Sequence, residues 1–435
     1  MTPIKRREFI GLGGAGAMLG VTSGLIESPV GCGTCTTDGS SASAAVAPSS
    51  APCGAPVEAR TFASGREDGR FVETAGFLHK YLQTLRPRLA FRPDMTREEF
   101  SSWCRKVREK LLELMCFPDV PAQDEPKRIW SKARNGYRLE RWEAYPEPYS
   151  VVPYYLLVPA GVSQQSPAAA VMCFPGSTGS KEALAGEPTL PGSPAPDKTK
   201  WDDNRMAYHY VRRGMVAAAF DSPATNELAS PLLARDSLSL SAIWMGRSYE
   251  AVSVFQKACV LQWLVRQPYV NPQRVATSGH SLGAKPADIL AVLYPDLVRA
   301  VVHNDFVCHW QERAVALNLP NPGAHQVVPG IFQWFDYTDL EASLAPRPLL
   351  FTEGGRPNQI AKIRLAYALL GAPDAMQLYH YDKYSDPASR ALDHAELPVG
   401  ITPEQYFAHA YVDVPQHRFR PHHAVPWLAR VFGLR

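Results

Sequence analysis

The chain has 435 residues, 45 Lys and Arg against 42 Asp and Glu, a net charge of +3 and 46% hydrophobic residues. That length can bury a large core, and it fits one large α/β domain with insertions or one domain plus a helical subdomain. Near-balanced charge without a Lys/Arg block in the body argues against a nucleic-acid partner. No apolar run in the body reaches membrane-spanning length, and no solenoid or propeller repeat is present.

At the N-terminus, Lys5-Arg6-Arg7-Glu8-Phe9-Ile10 precedes a mildly apolar, Gly-rich stretch from Gly11 to Ile26. Basic, then apolar, then small is the order of an export signal, and Gly at 11, 13, 14, 16 and 20 weakens any helix there. The Arg pair followed two residues on by Phe resembles a twin-arginine signal. Residues 1–30 are therefore expected to direct export to the periplasm or beyond. Residues 31–60, rich in Ser, Ala and Pro, read as a disordered linker. Cys32-x-x-Cys35 has neither strand–helix context nor a second paired motif, so no metal is expected there. Val30-Gly31-Cys32 loosely resembles a lipobox, although Pro29 stands where such sites prefer Leu. A lipid on Cys32 would be the chain's one membrane tether. The body cysteines 104, 116, 173, 259 and 308 read as core residues.

From Phe71 to Met115 the apolar spacing is helical. Phe77, Tyr81 and Leu85 share one face, and Phe100, Trp103, Val107, Leu111 and Leu114 share another. Residues 61–135 thus read as a helical N-terminal cap with its aromatic stripe buried against the main domain, residues 136–435. From Tyr137 the period changes to two: 137–145 and 151–158 read as an antiparallel hairpin, and Ala168 to Phe174 as a buried strand. The loop Pro175 to Glu182 follows, then a Pro/Gly-rich insertion over 186–201, a helix over 205–213 and a strand over 215–220. Residues 244–267 read as one long amphipathic helix feeding the turn Val270-Asn271-Pro272.

The most informative stretch is Gln273 to Asp305. It reads as strand, sharp turn, helix, strand, with Gly279-His280-Ser281-Leu282-Gly283 at the turn. A G-x-S-x-G sequence between a strand and a helix is what a nucleophile elbow requires. Small residues at 279 and 283 let the backbone fold beneath the Ser hydroxyl. The helix N-terminus beginning at Leu282 offers free N–H groups to a developing oxyanion. Further on, 306–344 reads as a region capping the pocket, 347–354 and 376–381 as strands, 360–370 and 422–432 as helices, and 382–416 as a long irregular excursion.

These features resemble an α/β-hydrolase, a mostly parallel sheet flanked by helices. More narrowly they resemble the bacterial dienelactone-hydrolase-like and acetyl-xylan-esterase-like members. The resemblance covers roughly Tyr137 to Arg435 and is strongest over Gly246 to Asp305. It implies a serine esterase with the chain order Ser, acid, His. Ser281 would be the nucleophile. His417, in His417-Arg418-Phe419 before the closing helix, would be the base; His409, His422 and His423 are the other candidates in that stretch, the last two read as first-turn helix residues held back from the elbow. Many relatives carry Asp where this chain has Pro357, so Glu353 is taken as the acid and Asp305 as the alternative. The second oxyanion donor comes from the loop after the third strand of such folds, which often carries His-Gly. Here the loop carries Pro175-Gly176, and the N–H groups of Ser177 and Leu282 are expected to form the hole. Lys285 falls where glucuronoyl esterases have a sugar-contacting Lys, and Arg247 lies in a segment packing near the site. Both are candidate substrate contacts, with structural ion pairing as the other role of each. No cofactor or metal is implied, and the expected partner is a small-molecule or oligosaccharide ester. The rival readings are a prolyl-oligopeptidase-like peptidase, which usually adds a β-propeller, and a hydrolase-like binding protein that has lost its triad.

Overall fold

The computed structural model describes residues 61–120, 124–188, 190, 201–319 and 323–434. The expected export signal, the linker and Cys32 lie outside the described residues, as does most of the 186–201 insertion. The strands are β1 (Lys127–Arg134), β2 (Tyr137–Ala144), β3 (Val152–Pro159), β4 (Ala168–Phe174), β5 (Val216–Phe220), β6 (Val270–His280), β7 (Ala300–Asn304), β8 (Leu349–Phe351) and β9 (Met376–Leu378). They form one sheet in the order β1-β2-β3-β5-β4-β6-β7-β8-β9. β1 to β3 run antiparallel at one edge, and every pairing from β5 through β9 is parallel.

The middle strands are short apolar runs such as Ala168-Ala169-Ala170-Val171-Met172-Cys173-Phe174, as parallel strands covered on both faces must be. Alternation sends Tyr154 and Leu156 of β3 to one core and Tyr155 and Leu157 to the other. The helices are α1 (Thr74–Thr84), α2 (Arg97–Met115), α3 (Lys181–Ala185), α4 (Trp201–Asn204), α5 (Met206–Arg212), α6 (Arg235–Ile243), α7 (Tyr249–Leu264), α8 (Ala284–Leu293), α9 (Trp310–Ala316), α10 (Tyr337–Ala342), α11 (Pro357–Leu369), α12 (Pro403–His409) and α13 (Pro421–Val431). Side chains of α2, α7, α8, α10 and α11 build the core on one face of the sheet, and those of α3, α5 and α13 build the other. Among the described residues no helix is long and apolar enough to cross a membrane.

Three elements differ from expectation. The aromatic stripe splits: Phe100, Trp103, Val107 and Leu111 of α2 are buried, but Phe77 and Tyr81 of α1 are more than half exposed. α1 instead buries Gly76 and His79, whose Nε2 lies 2.9 Å from the Val315 carbonyl of α9. The region read as helical cap also ends in a strand, β1, which extends the sheet. The helix expected over 244–267 is shorter, α7 over Tyr249–Leu264, and a separate helix, α6, ends at Ile243 before it. Gly246 in the left-handed region (φ +73°) breaks the chain after α6, and the Ser248 hydroxyl accepts from Ala251 N at 3.0 Å to start α7.

Candidate active site

β6 runs straight into Ser281, which sits in the left-handed region at φ +52°. For a non-Gly residue that conformation costs on the order of 1–3 kcal/mol and persists only where its surroundings hold it. They do so tightly here. A Cβ on Gly279 would lie 2.1 Å from the Gly283 carbonyl oxygen, and one on Gly283 would lie 2.4 Å from that of Phe174. Only glycine fits either place. A single 3-10 turn over Ser281–Gly283 leads into α8, so the half-buried Ser281 stands at the C-terminal end of the sheet beside a helix N-terminus.

The loop after β4 lies against this turn. A Cβ on Gly176 would approach His280 Nδ1 to 2.9 Å and Ser281 Cβ to 3.4 Å. The loop is pinned by a tight turn, Gly179 N to Gly176 O at 3.1 Å, and by Lys181. The fully buried Lys181 ammonium reaches Glu227 at 2.7 Å, Asp221 at 2.8 Å and Glu182 at 2.9 Å. Arg235 of α6 donates to the Ser177 carbonyl at 3.2 Å, and the Ser177 side chain is exposed.

Glu353 follows β8 and is fully buried. Gly354 (φ +71°) and Gly355 (φ +134°) then turn the chain into α11, whose first residue is Pro357. Glu353 Oε2 lies 2.6 Å from His417 Nδ1, and its Oε1 accepts from Arg418 N at 3.3 Å. Burial raises the Glu353 pKa, and the adjoining His417 opposes the rise. The His417 ring lies 4.8 Å from that of His280, the residue before Ser281. Asp305 Oδ1 accepts from Phe306 N at 2.8 Å.

Sequence reasoning did not find the residues that fix the His417 loop. The buried Asn304, at the end of β7, donates through Nδ2 to the Arg418 carbonyl at 3.0 Å and accepts at Oδ1 from Arg420 N at 2.8 Å. Asn204 of α4 accepts from Phe419 N at 2.9 Å. A lone Asn after an apolar strand carries no pattern that would have marked it.

Lys285 is 7% exposed. Its ammonium lies 3.3 Å from the centroid of the Trp310 ring and donates to Gln326 Oε1 at 3.3 Å. Burial lowers its pKa to about 8, against the opposing pull of Glu250. Arg247 pairs with Glu147 at 2.6 Å. His422 and His423 lie in the first turn of α13, and the His423 ring stacks on Tyr379 at 3.9 Å. Two groups bring three ligand-type side chains within 4.8 Å of one another: His280, Glu353 and His417, and the buried Asp288, His303 and Glu341. In each, a carboxylate is bonded directly to a histidine (2.6 and 2.7 Å).

A strained serine at the strand–helix turn, a histidine bonded to a buried carboxylate and a glycine loop against the serine, all at one end of a parallel sheet, define an α/β-hydrolase. The Abhydrolase family model matches residues 55–430, and the chain belongs to that family. The solved structure of a candidate acetyl xylan esterase from Bacteroides fragilis is 35% identical to it, with a TM-score of 0.78, covering 85% of this chain and 97% of that one. A methylesterase structure, 16% identical with a TM-score of 0.51 over 82% of this chain and 78% of that one, shares the fold. No curated protein matches the sequence.

Proposed function

We propose that this α/β-hydrolase is an exported serine esterase that cleaves acyl esters of carbohydrates. The observation that carries the reading is the 2.6 Å bond between Glu353 and His417 beside the strained elbow of Ser281. A serine hydroxyl is a weak nucleophile until a base takes its proton, and the base needs a fixed tautomer. Glu353 accepts from His417 Nδ1–H, which leaves Nε2 as the basic nitrogen. Ser281 Oγ attacks the acyl carbon as its proton passes to His417. The tetrahedral oxyanion is held by the N–H groups of Leu282 and Ser177. His417 returns the proton to the departing sugar oxygen, and water, activated by the same His417, releases the acid from Ser281. The reaction class is carboxylic ester hydrolysis.

The choice of a carbohydrate ester rests on the likeness to the Bacteroides fragilis structure, named as a candidate acetyl xylan esterase. Export rests on the signal read in residues 1–30. Pro357 begins α11, so the reading needs no carboxylate at that position. Acetate release from acetylated xylo-oligosaccharides tests it. The protein should release acetate and the Ser281→Ala variant should not; release by neither would remove acetylated xylan fragments as substrates.

A further inference from the structure

A cavity of about 550 Å³ lies between α1, α9 and the segment 326–333. Its walls are apolar and aromatic, with Tyr81, Trp310, Ile331, Phe332 and Tyr337 among them, and among the described residues no acidic one lines it. That volume lies within the range that holds small organic ligands.

Among the described residues one charged side chain lines it, Arg313 of α9. The guanidinium sits among four rings, 4.8 Å from the centroid of Trp310, 5.4 Å from Tyr406, 5.6 Å from Phe407 and 5.8 Å from Phe306. Those rings hold the plane of the fork without neutralising its charge. The neighbouring carboxylate, Glu312, turns away to Arg356 at 3.0 Å. Among the described residues no carboxylate pairs with Arg313. A second cation, the Lys285 ammonium, lies 3.3 Å from the centroid of the same Trp310 ring. Tyr337, only 4% exposed, has a hydroxyl with no hydrogen-bond partner among the described residues. Buried hydroxyls are rarely left so.

An apolar, ring-lined cavity with an unneutralised planar fork selects a ligand with a flat apolar body and one carboxylate. Aromatic walls take the body, and the guanidinium takes the carboxylate in the bidentate geometry that a lysine cannot supply. We propose that this cavity is a binding site for an aromatic carboxylate, with Arg313 as its anion receptor. Binding there does not depend on ester chemistry at Ser281.

The test uses the full chain carrying Ser281→Ala, titrated with cinnamate and with cinnamamide and followed by tryptophan fluorescence and calorimetry. Cinnamate should bind saturably, one per chain, and the neutral amide at least about tenfold more weakly, the loss expected when a charge-assisted hydrogen bond is removed. Arg313→Gln should weaken cinnamate about tenfold and leave the amide unchanged; Arg313→Lys, which keeps the charge without the fork, should fall between. Absence of saturable cinnamate binding, or equal binding of acid and amide to the protein with Arg313 intact, would overturn the proposal. That comparison needs no folded Arg313 variant. Because Ser281 is absent throughout, the result stands apart from the esterase reading.

Discussion

His417 Nδ1 and Glu353 Oε2 lie 2.6 Å apart, yet the two residues are 64 positions apart in the chain. The carboxylate is buried at the end of β8, and the histidine enters on the loop before α13. Burial raises the Glu353 pKa, so ionising it costs the folded state. An acid whose folded pKa is raised contributes stability at low pH and loses it as pH rises through that pKa. Glu353→Gln should therefore lower turnover of a simple ester by about 10³-fold or more while the melting temperature at pH 7 is equal or higher. Asp305→Asn should lower turnover by less than about tenfold. The reverse ranking in kinetics would move the acid to Asp305.

Asn304 holds the backbone on both sides of Phe419. Asn304→Leu leaves a buried N–H and C=O unpaired, at about 1–3 kcal/mol each, and loosens His417. We expect kcat to fall at least about tenfold with KM little changed, and Asn304→Asp, which still accepts from Arg420 N, to retain more activity. An equal fall in both variants, with KM rising, would point to general unfolding of the loop.

The glycines of the elbow separate folding from chemistry. Gly279→Ala would place a methyl 2.1 Å from a backbone oxygen, and no side-chain adjustment relieves that. Its cost should reach about 3 kcal/mol or more, seen as lost soluble expression or a melting point lower by several degrees. Gly176→Ala meets the His280 ring at 2.9 Å instead. It should fold and lose turnover by about tenfold or more, measured as kcat against melting temperature.

Beneath the elbow, His303 Nδ1 lies 2.7 Å from Asp288 of α8 and 3.9 Å from Glu341 of α10. Burial alone would lower the His303 pKa, but the two carboxylates outweigh it and raise it to about 9. A raised folded pKa gives stability that is fully present below the unfolded value, near 6.5, and lost as pH rises through about 9. Chemical denaturation from pH 6 to 10 should show His303→Asn destabilised most at pH 6 and the gap closing by pH 10. A constant gap would mean that the histidine contributes packing alone.

Much of this was legible because the signals were physical ones. The apolar run at 168–174 and the β-friendly stretch at 274–277 announced buried parallel strands. The glycines flanking Ser281 announced a turn too tight for side chains. The hairpin over 137–158 showed its period. What was not legible depended on contacts between distant segments. β1 (Lys127–Arg134) is an edge strand, largely exposed and rich in Lys and Arg, as edges often are, so its sequence shows no apolar alternation. Phe77 and Tyr81 have helical spacing but stay more than half exposed, since α1 buries Gly76 and His79 instead. The clamp by Asn304 exists only once β7 and the loop before α13 are brought together.

The account rests most directly on Ser281, and hydrolysis of p-nitrophenyl acetate by the protein and by its Ser281→Ala variant tests it. The account predicts turnover by the first and a loss of about 10³-fold or more in the second, with both melting at similar temperatures. Turnover undiminished in the variant would contradict a serine nucleophile at the elbow.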